Sequence, residues 1–433
     1  MFTAHDTESD LSSDRPILPL WLVGTIALGT LLNPLNSSMI AVSLLRLGSA
    51  FHVTLGTVTW LVFLRVLQAF GTSAAYPAGL ALFRAQARHA TGEAVQPPAA
   101  ALGTISMTSN VSAALGPALG GVLLLVANWQ AIFLINIPLV VVGLVLALLL
   151  LPKDRLVHDD QQSFHPRSVS LKQAVPALDV PGVILFSGTL TSLLVFLLAL
   201  PGNPPWLLLA VFVVLLLLLL FWEYRARTPF FNMSMLLSNR QLVKVYVQFA
   251  AVNVVFYSLF FGLPLWLEKA RGFGPALSGL LMLPLTGVGI LTTFAAIQIL
   301  RQSGGIRRAL FLGALALSGG TLLLLFFEPN SPVALLLAVI MVLGIPNGLQ
   351  NLGLQAALYA AAPAKDMGVA AGQFQTFRYL GSILSTSLLG LLFGGTTTTG
   401  GLHLLAVALA CISVLLLAGT VRLRMPGNHA SRS

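Results

Sequence analysis

The sequence predicts an all-α polytopic membrane protein, on three observations. Of its 433 residues, 57% are hydrophobic and only 8% are charged, against about 25% charged in a soluble chain. Apolar runs of about 17 to 25 residues recur along the whole length, each long enough to cross a hydrocarbon core about 30 Å thick. Threading those runs through a bilayer leaves the basic residues almost entirely on one side.

Taken in order, the runs predict about twelve spans: 17–45, 57–83, 99–126, 129–151, 180–200, 205–222, 242–267, 275–300, 306–327, 332–359, 367–394 and 399–421. The first holds Pro34, which removes a backbone donor and bends a helix. The second is apolar enough to cross, yet carries Arg65 and Gln68 well inside. The fifth and sixth are Leu-rich with few polar side chains, which predicts a peripheral place. The sixth has no charge over 206–222 and a tryptophan at each end, Trp206 and Trp222, as interfacial anchors require. Clusters of proline, glycine and threonine at 201–205 and 395–400 separate neighbouring spans.

With both termini cytoplasmic, eighteen Lys and Arg lie on the inner side and three, Arg46, Lys269 and Arg271, on the outer. That positive-inside bias predicts a multi-pass protein of the cytoplasmic membrane, oriented with both ends in the cell. Two further bases, Arg65 and Arg378, fall inside spans. All thirteen acids fall in loops or at span ends, Glu268 being nearest to an embedded position. The first nineteen residues hold several acids and a single base, Arg15, rather than the basic leader of a cleaved signal peptide, so the amino terminus is expected to stay on the chain.

Several function classes are excluded on this pattern. The net charge of +10 does not imply nucleic acid, because the bases sit in loops between spans rather than along one soluble face. One cysteine, Cys411, allows no internal disulfide, and no Cys/His cluster offers a metal site. No cofactor is expected. Without a G-x-S-x-G elbow, paired membrane carboxylates or an embedded histidine base, an enzyme is not expected either.

The longest polar break, 152–179, is an inner loop. It divides the chain into an N-terminal bundle of four spans (1–151), the loop, two peripheral linker spans (180–224) and a C-terminal six-helix bundle with its tail (225–433). Halves joined by a long cytoplasmic loop suggest a repeat-built transporter. Polar side chains form stripes at helical spacing. Arg65, Gln68, Thr72 and Tyr76 share one face, as do Asn33, Asn36 and Ser37. Further on, Tyr246, Asn253 and Tyr257 align, then Asn347, Gln350 and Asn351, and finally Gln375, Arg378, Ser382 and Ser385. In lipid such groups face other helices or a wet cavity. For a lone Asn, Gln or Ser, an interhelical hydrogen bond of roughly 0.6 kcal/mol is the simpler reading. For Arg65 and Arg378 a functional role is the better one, since an embedded base needs a partner or water.

The chain resembles the major facilitator superfamily, in its fourteen-helix drug/proton antiporter branch, from about residue 16 to 424. RVLQAFG (65–71) resembles the fourth-helix motif in which an arginine and a glutamine face the transport path, with Ala69 where glycine is usual. Gly103, Ser112, Gly116, Pro117, Gly120 and Gly121 follow the spacing of the fifth-helix antiporter motif, with Ser112 in place of a glycine. The resemblance implies a bend there that seals the cavity; close packing of small residues is the alternative. VAAGQFQTFRYLG (369–381) and PLWLEKARGF (264–273) also look like segments of this branch. Arg301, Gly304, Gly305, Arg307 and Arg308 are similar to its inner gating loop, with Gln302 at the acidic position.

Two departures stand out. TWLV (59–62) runs directly into Arg65, so an inner loop, a third helix and parts of two neighbours are missing, roughly 45–50 residues at about 20 per span. One fused span then replaces three, which preserves the orientation of everything downstream. In the first helix, Asn36 stands where many relatives carry an aspartate. The resemblance implies a proton-coupled exporter of small amphipathic organic compounds working by alternating access. Asn33, Asn36, Arg65, Gln68, Asn253, Asn347, Gln350 and Arg378 would then surround the substrate and proton pathway. The expected partners are a small-molecule substrate, protons, the lipid bilayer and a second copy that completes the shortened bundle. The competing expectation is a non-transporting or defective relative with an assembly or sensing role.

Overall fold

The computed structural model describes residues 24–32, 129–150, 179–200, 204–226, 233–363, 367–394 and 397–421, with isolated positions between 35 and 127. Among these residues there is helix and no strand, and nine helical segments are long and apolar enough to cross a membrane. They coincide with the last nine predicted spans. Of the first three, only residues 24–32 and the isolated positions are described, and nearly all of the loop 152–179 lies outside the described residues. We number the long helices α1 Asn136–Leu150, α2 Val180–Ala199, α3 Trp206–Arg225, α4 Arg240–Lys269, α5 Leu283–Leu300, α6 Gly305–Leu323, α7 Val333–Ala361, α8 Met367–Phe393 and α9 Thr399–Val421. Helix is what hydrocarbon demands, because a helix satisfies every backbone polar group within one segment.

Side chains fix where several helices begin. Asp179 caps α2 by accepting from Gly182 N at 2.9 Å, and the same carboxylate accepts from the Trp222 indole at 2.7 Å, which clips α2 to α3. Asn239 caps α4 by accepting from Leu242 N at 3.1 Å, while its Nδ2 donates to the carbonyl of Ala361 at the end of α7, at 2.7 Å. One helix start is thereby tied to another helix's finish. The expected span over 275–300 is present as one segment long enough to cross, built from a short helix, Pro275–Leu281, a turn at Met282, and α5. Pro284 has no N–H to give to the preceding turn, which favours the break here.

Helices α4 to α9 pack into one bundle in which α5 lies along α7, α4 along α8, and α6 between α7 and α9. Its core includes Tyr246, Leu263, Trp266, Leu285, Leu310 and Leu354. Two glycines set the closest seams. A Cβ on Gly348 of α7 would run into Thr293 N and the Gly289 carbonyl of α5, and one on Gly381 of α8 would run into the Ala250 carbonyl of α4. Small residues at such seams let backbones approach, which is how membrane helices gain packing energy without a hydrophobic drive. The opposite end of the bundle is tied as well. Nη1 of Arg271 donates to the carbonyls of Glu328 and Pro329, and His403 Nε2 lies 2.8 Å from the Phe327 carbonyl. The Phe327 ring stacks on buried Trp266 at 5.6 Å.

Helices α2 and α3 pack on each other, and α2 touches the bundle at α8. In the front part, Leu35, Met39, Leu124 and Ile132 form a small cluster of their own. Helix α1 has no buried residue.

Candidate functional site

The embedded base of the rear bundle lies near the middle of α8. Arg378 is half-buried and its Nε donates to the hydroxyl of Tyr257 on α4 at 3.3 Å. On α8, Gln375 and Ser382 are three and four residues away, so all three share a face; both are half-buried. On α4, the Tyr257 ring stacks on Phe261 at 5.8 Å and meets Phe256 edge-on at 5.3 Å. The seam below is closed by Phe249 stacked on Phe374, and by Tyr246, whose hydroxyl donates to the Ala370 carbonyl at 2.9 Å. The α4–α8 pair therefore presents a guanidinium, a hydroxyl, an amide and an aromatic wall together at mid-depth.

The other expected pathway residues of this bundle sit differently. Asn253 is buried where Gly381 approaches α4, and its amide bonds back to the Phe249 carbonyl at 2.7 Å. Gln350 is 2% exposed and donates across to the Leu310 carbonyl of α6 at 3.2 Å. Asn347 is buried against Gly289; its Oδ1 accepts from Asn351 at 2.7 Å, and its own Nδ2 has no hydrogen-bond partner. Of these three, only Gln350 bonds to another helix, while Asn253 and Asn347 bond within their own and pack against glycines of the neighbouring helix; Arg378 and Tyr257 are half-buried.

In the front part, Asn36 is 4% exposed and accepts from Asn136 Nδ2 at 3.4 Å. Asn136 was not singled out from the sequence, because its apolar surroundings give no polar stripe to flag it. Gln68 is exposed. Asn33, Arg65, Gly103, Pro117 and Gly121 lie outside the described residues. Gly116 and Gly120 are buried, and a Cβ on Gly120 would stand 3.0 Å from the Met39 carbonyl, so this segment presses backbone to backbone on the first helix. At the turn between α5 and α6, Gly304 has φ +71°, which glycine adopts without strain. Arg301, Arg307 and Arg308 are exposed around it, and Arg308 donates to Gln302 Oε1 at 3.0 Å.

The family model for the Major Facilitator Superfamily matches residues 20–386. The Uncharacterized MFS-type transporter YwoD of Bacillus subtilis (strain 168) is 31% identical, over 94% of this chain and 96% of the relative. That alignment occupies 457 positions while using 94% of 433 residues. About fifty positions therefore have no residue here, the length of two spans at about 20 residues each and their loop. A tetracenomycin C resistance and export protein of Streptomyces glaucescens is 28% identical, over 78% of this chain and 59% of its own length. Putative multidrug resistance protein MdtD of Klebsiella pneumoniae subsp. pneumoniae is 29% identical, over 67% of this chain and 58% of that protein. Among solved structures, a POT family transporter in complex with 5-aminolevulinic acid superposes with a TM-score of 0.55 at 15% identity, covering 93% of this chain and 82% of that one. At that identity the likeness concerns the fold alone.

Proposed function

The chain belongs to the Major Facilitator Superfamily and is a membrane transporter, and from that premise we propose that it exports small amphipathic organic compounds across the cytoplasmic membrane by alternating access coupled to protons. The observation that carries this reading is the pairing of Arg378 with Tyr257 beside an aromatic wall at mid-depth, where transporters of repeat-built folds bind substrate. The relatives named for export of, or resistance to, drugs support the direction and the class of compound. In this proposal Asn33, Asn36, Arg65 and Gln68 supply the front wall of the pathway, and Arg378 with Tyr257 the rear wall. Asn253, Asn347 and Gln350 stiffen the rear bundle behind it. Gly116 with Pro117 sets the bend of the fifth-helix motif, and the turn with Arg301, Gly304, Arg307 and Arg308 forms an inner gate. A guanidinium does not release its proton at physiological pH, so Arg65 orders a relay water or an anion, and another group or the substrate carries the proton.

The test is efflux of fluorescent amphiphiles from an exporter-deficient bacterium expressing the chain, with and without a protonophore, beside an Arg65→Ala version. Efflux that needs the proton gradient and disappears in the variant supports the proposal. The fifty absent positions favour a second reading, a relative that no longer transports. Folded, inserted protein that moves none of a chemically varied set of compounds selects that reading instead.

A further inference from the structure

Charge is divided unevenly between the two ends of the rear bundle, and the basic end has exposed apolar faces directly beneath it. Asn239 ties the start of α4 to the end of α7. Gly344 approaches Leu285, and Gly348 approaches Thr293, so α5 runs in the same direction as α7 and ends beside it. Arg301 follows α5, and Arg307 and Arg308 lie in the first turn of α6. Arg240 and Lys244 open α4. Arg225 ends α3, which packs on the short helix Met233–Ser238 that leads into α4. All six bases therefore share one end, and all six are exposed. The described acids there are two: Asp179, taken up by Gly182 N and the Trp222 indole, and Glu223, buried in the last turn of α3. Six bases against two acids leave four positive charges in excess. At the opposite end Lys269 and Arg271 stand against Glu268 and Glu328, and the described charges balance. The loop that leads into α2 does not make up the difference, since 152–178 carries four Lys and Arg against three Asp.

Depth identifies the partner. One turn in from the bases, the same helix faces become apolar while remaining exposed. On α3, Arg225 lies over the Phe221 ring at 4.4 Å, and exposed Leu218 and Leu217 follow. On α4, Arg240, Lys244 and Val247 are spaced four and three apart on one face, and Val247 is exposed. On α6, Arg308 is followed at the same spacing by exposed Leu312 and Leu315, and Arg307 by exposed Phe311. Trp222 and Tyr224, both exposed, mark headgroup depth, where amphipathic rings settle. Exposed apolar side chains on a spanning helix face acyl chains, so bases at the margin of those faces stand at the level of lipid phosphates. A soluble polyanion could reach the bases but would leave the aligned apolar faces unused. We propose that this end of the bundle is a docking surface for anionic phospholipids, whose phosphates are received by Arg225, Arg240, Lys244, Arg301, Arg307 and Arg308. A guanidinium fork matches a phosphate in two parallel bonds, and that of Arg308 is already steadied by Gln302. The inference stands apart from the transporter reading, because it requires no substrate.

Two lipids with the same acyl chains decide it: phosphatidylglycerol, which is anionic, and phosphatidylcholine, which is not. The full chain is purified in detergent, and binding of each is measured by native mass spectrometry. Phosphatidylglycerol is expected to bind at least about tenfold tighter, with the difference shrinking as salt rises. Arg301→Gln, Arg307→Gln and Arg308→Gln together are expected to weaken phosphatidylglycerol at least about tenfold and leave phosphatidylcholine unchanged. Lys269→Gln, at the opposite end, is expected to change neither. Thermal unfolding checks that each variant is folded; should the triple variant not fold, Arg240→Gln with Lys244→Gln carries the same comparison. Equal binding of the two lipids, or phosphatidylglycerol binding unchanged in folded variants, overturns the proposal. So does displacement of phosphatidylglycerol by inorganic phosphate at equal concentration, which would mean that the surface takes any small anion.

Discussion

Replacing Gly348 by alanine tests the closest seam of the rear bundle. A Cβ there stands 2.5 Å from both the Gly289 carbonyl and Thr292 Oγ1, and closer still to Thr293 N, where ordinary contact begins at 3.4 Å. Helices α5 and α7 must then part by roughly 1.1 Å to clear Thr293 N, a gap that forfeits about half of the dispersion attraction of atoms facing across it. Overpacking costs typically 1–3 kcal/mol, and because two of the three obstacles are backbone, about 3 kcal/mol is the appropriate figure. Alanine's better helix propensity returns about 1 kcal/mol, which leaves a net loss of about 2 kcal/mol. Gly319 on exposed α6 surface is the control, since a Cβ there meets nothing within 4 Å; Gly319→Ala should keep only the propensity gain, at most about 1 kcal/mol. Thermal unfolding of the detergent-solubilised chain, followed by circular dichroism, should therefore move in opposite directions for the two variants. A Gly348→Ala protein as stable as the parent would mean that α5 and α7 do not meet at this seam, and the argument would fail.

Two further expectations concern the polar ties. Asn239→Ala removes a helix cap, about 1 kcal/mol, and an interhelical hydrogen bond, about 0.6 kcal/mol. Amide hydrogen exchange should rise at the start of α4 and the end of α7 together, whereas a rise confined to α4 would show that the bond to Ala361 contributes nothing. Gln350→Met keeps the length of the side chain and leaves the Leu310 carbonyl its own helical bond, so stability should fall by no more than about 1.7 kcal/mol with KM unchanged; a shifted KM at unaltered stability would instead put Gln350 on the transport path.

The helices were legible in the sequence because the membrane leaves the backbone one way to satisfy itself, so hydropathy alone locates nine of them to within a few residues. The break at Met282 was less so: Pro284 was in plain view, but proline also sits unbroken inside α4 at Pro264 and inside α7 at Pro346. Tyr257 and Arg378 each fell on a recognised polar stripe, yet their meeting joins positions 121 apart in sequence, and helical spacing carries no information on which stripe faces which. Asn347 and Gln350 share a face by spacing but separate in their contacts, one against α5 and one bonded to α6. The partner of Gln350 is a backbone carbonyl, and every residue offers one of those. The front wall of the proposed pathway rests on sequence for Asn33 and Arg65, and on one weak contact for Asn36.

The ties at the two ends of the rear bundle bear on how force passes through it. Asn239 fastens α4 to α7 at one end, and Arg271 and His403 fasten the turns at the other end to their neighbours. A body pinned at both rims behaves as a stiff plank: pushed at one end it tilts and does not buckle. Energy released by a ligand at mid-depth is then not dissipated as bending within the six helices but reaches the far rim as displacement. Substitutions that cut the ties at either rim should then alter the speed of the proposed transport without altering what is recognised.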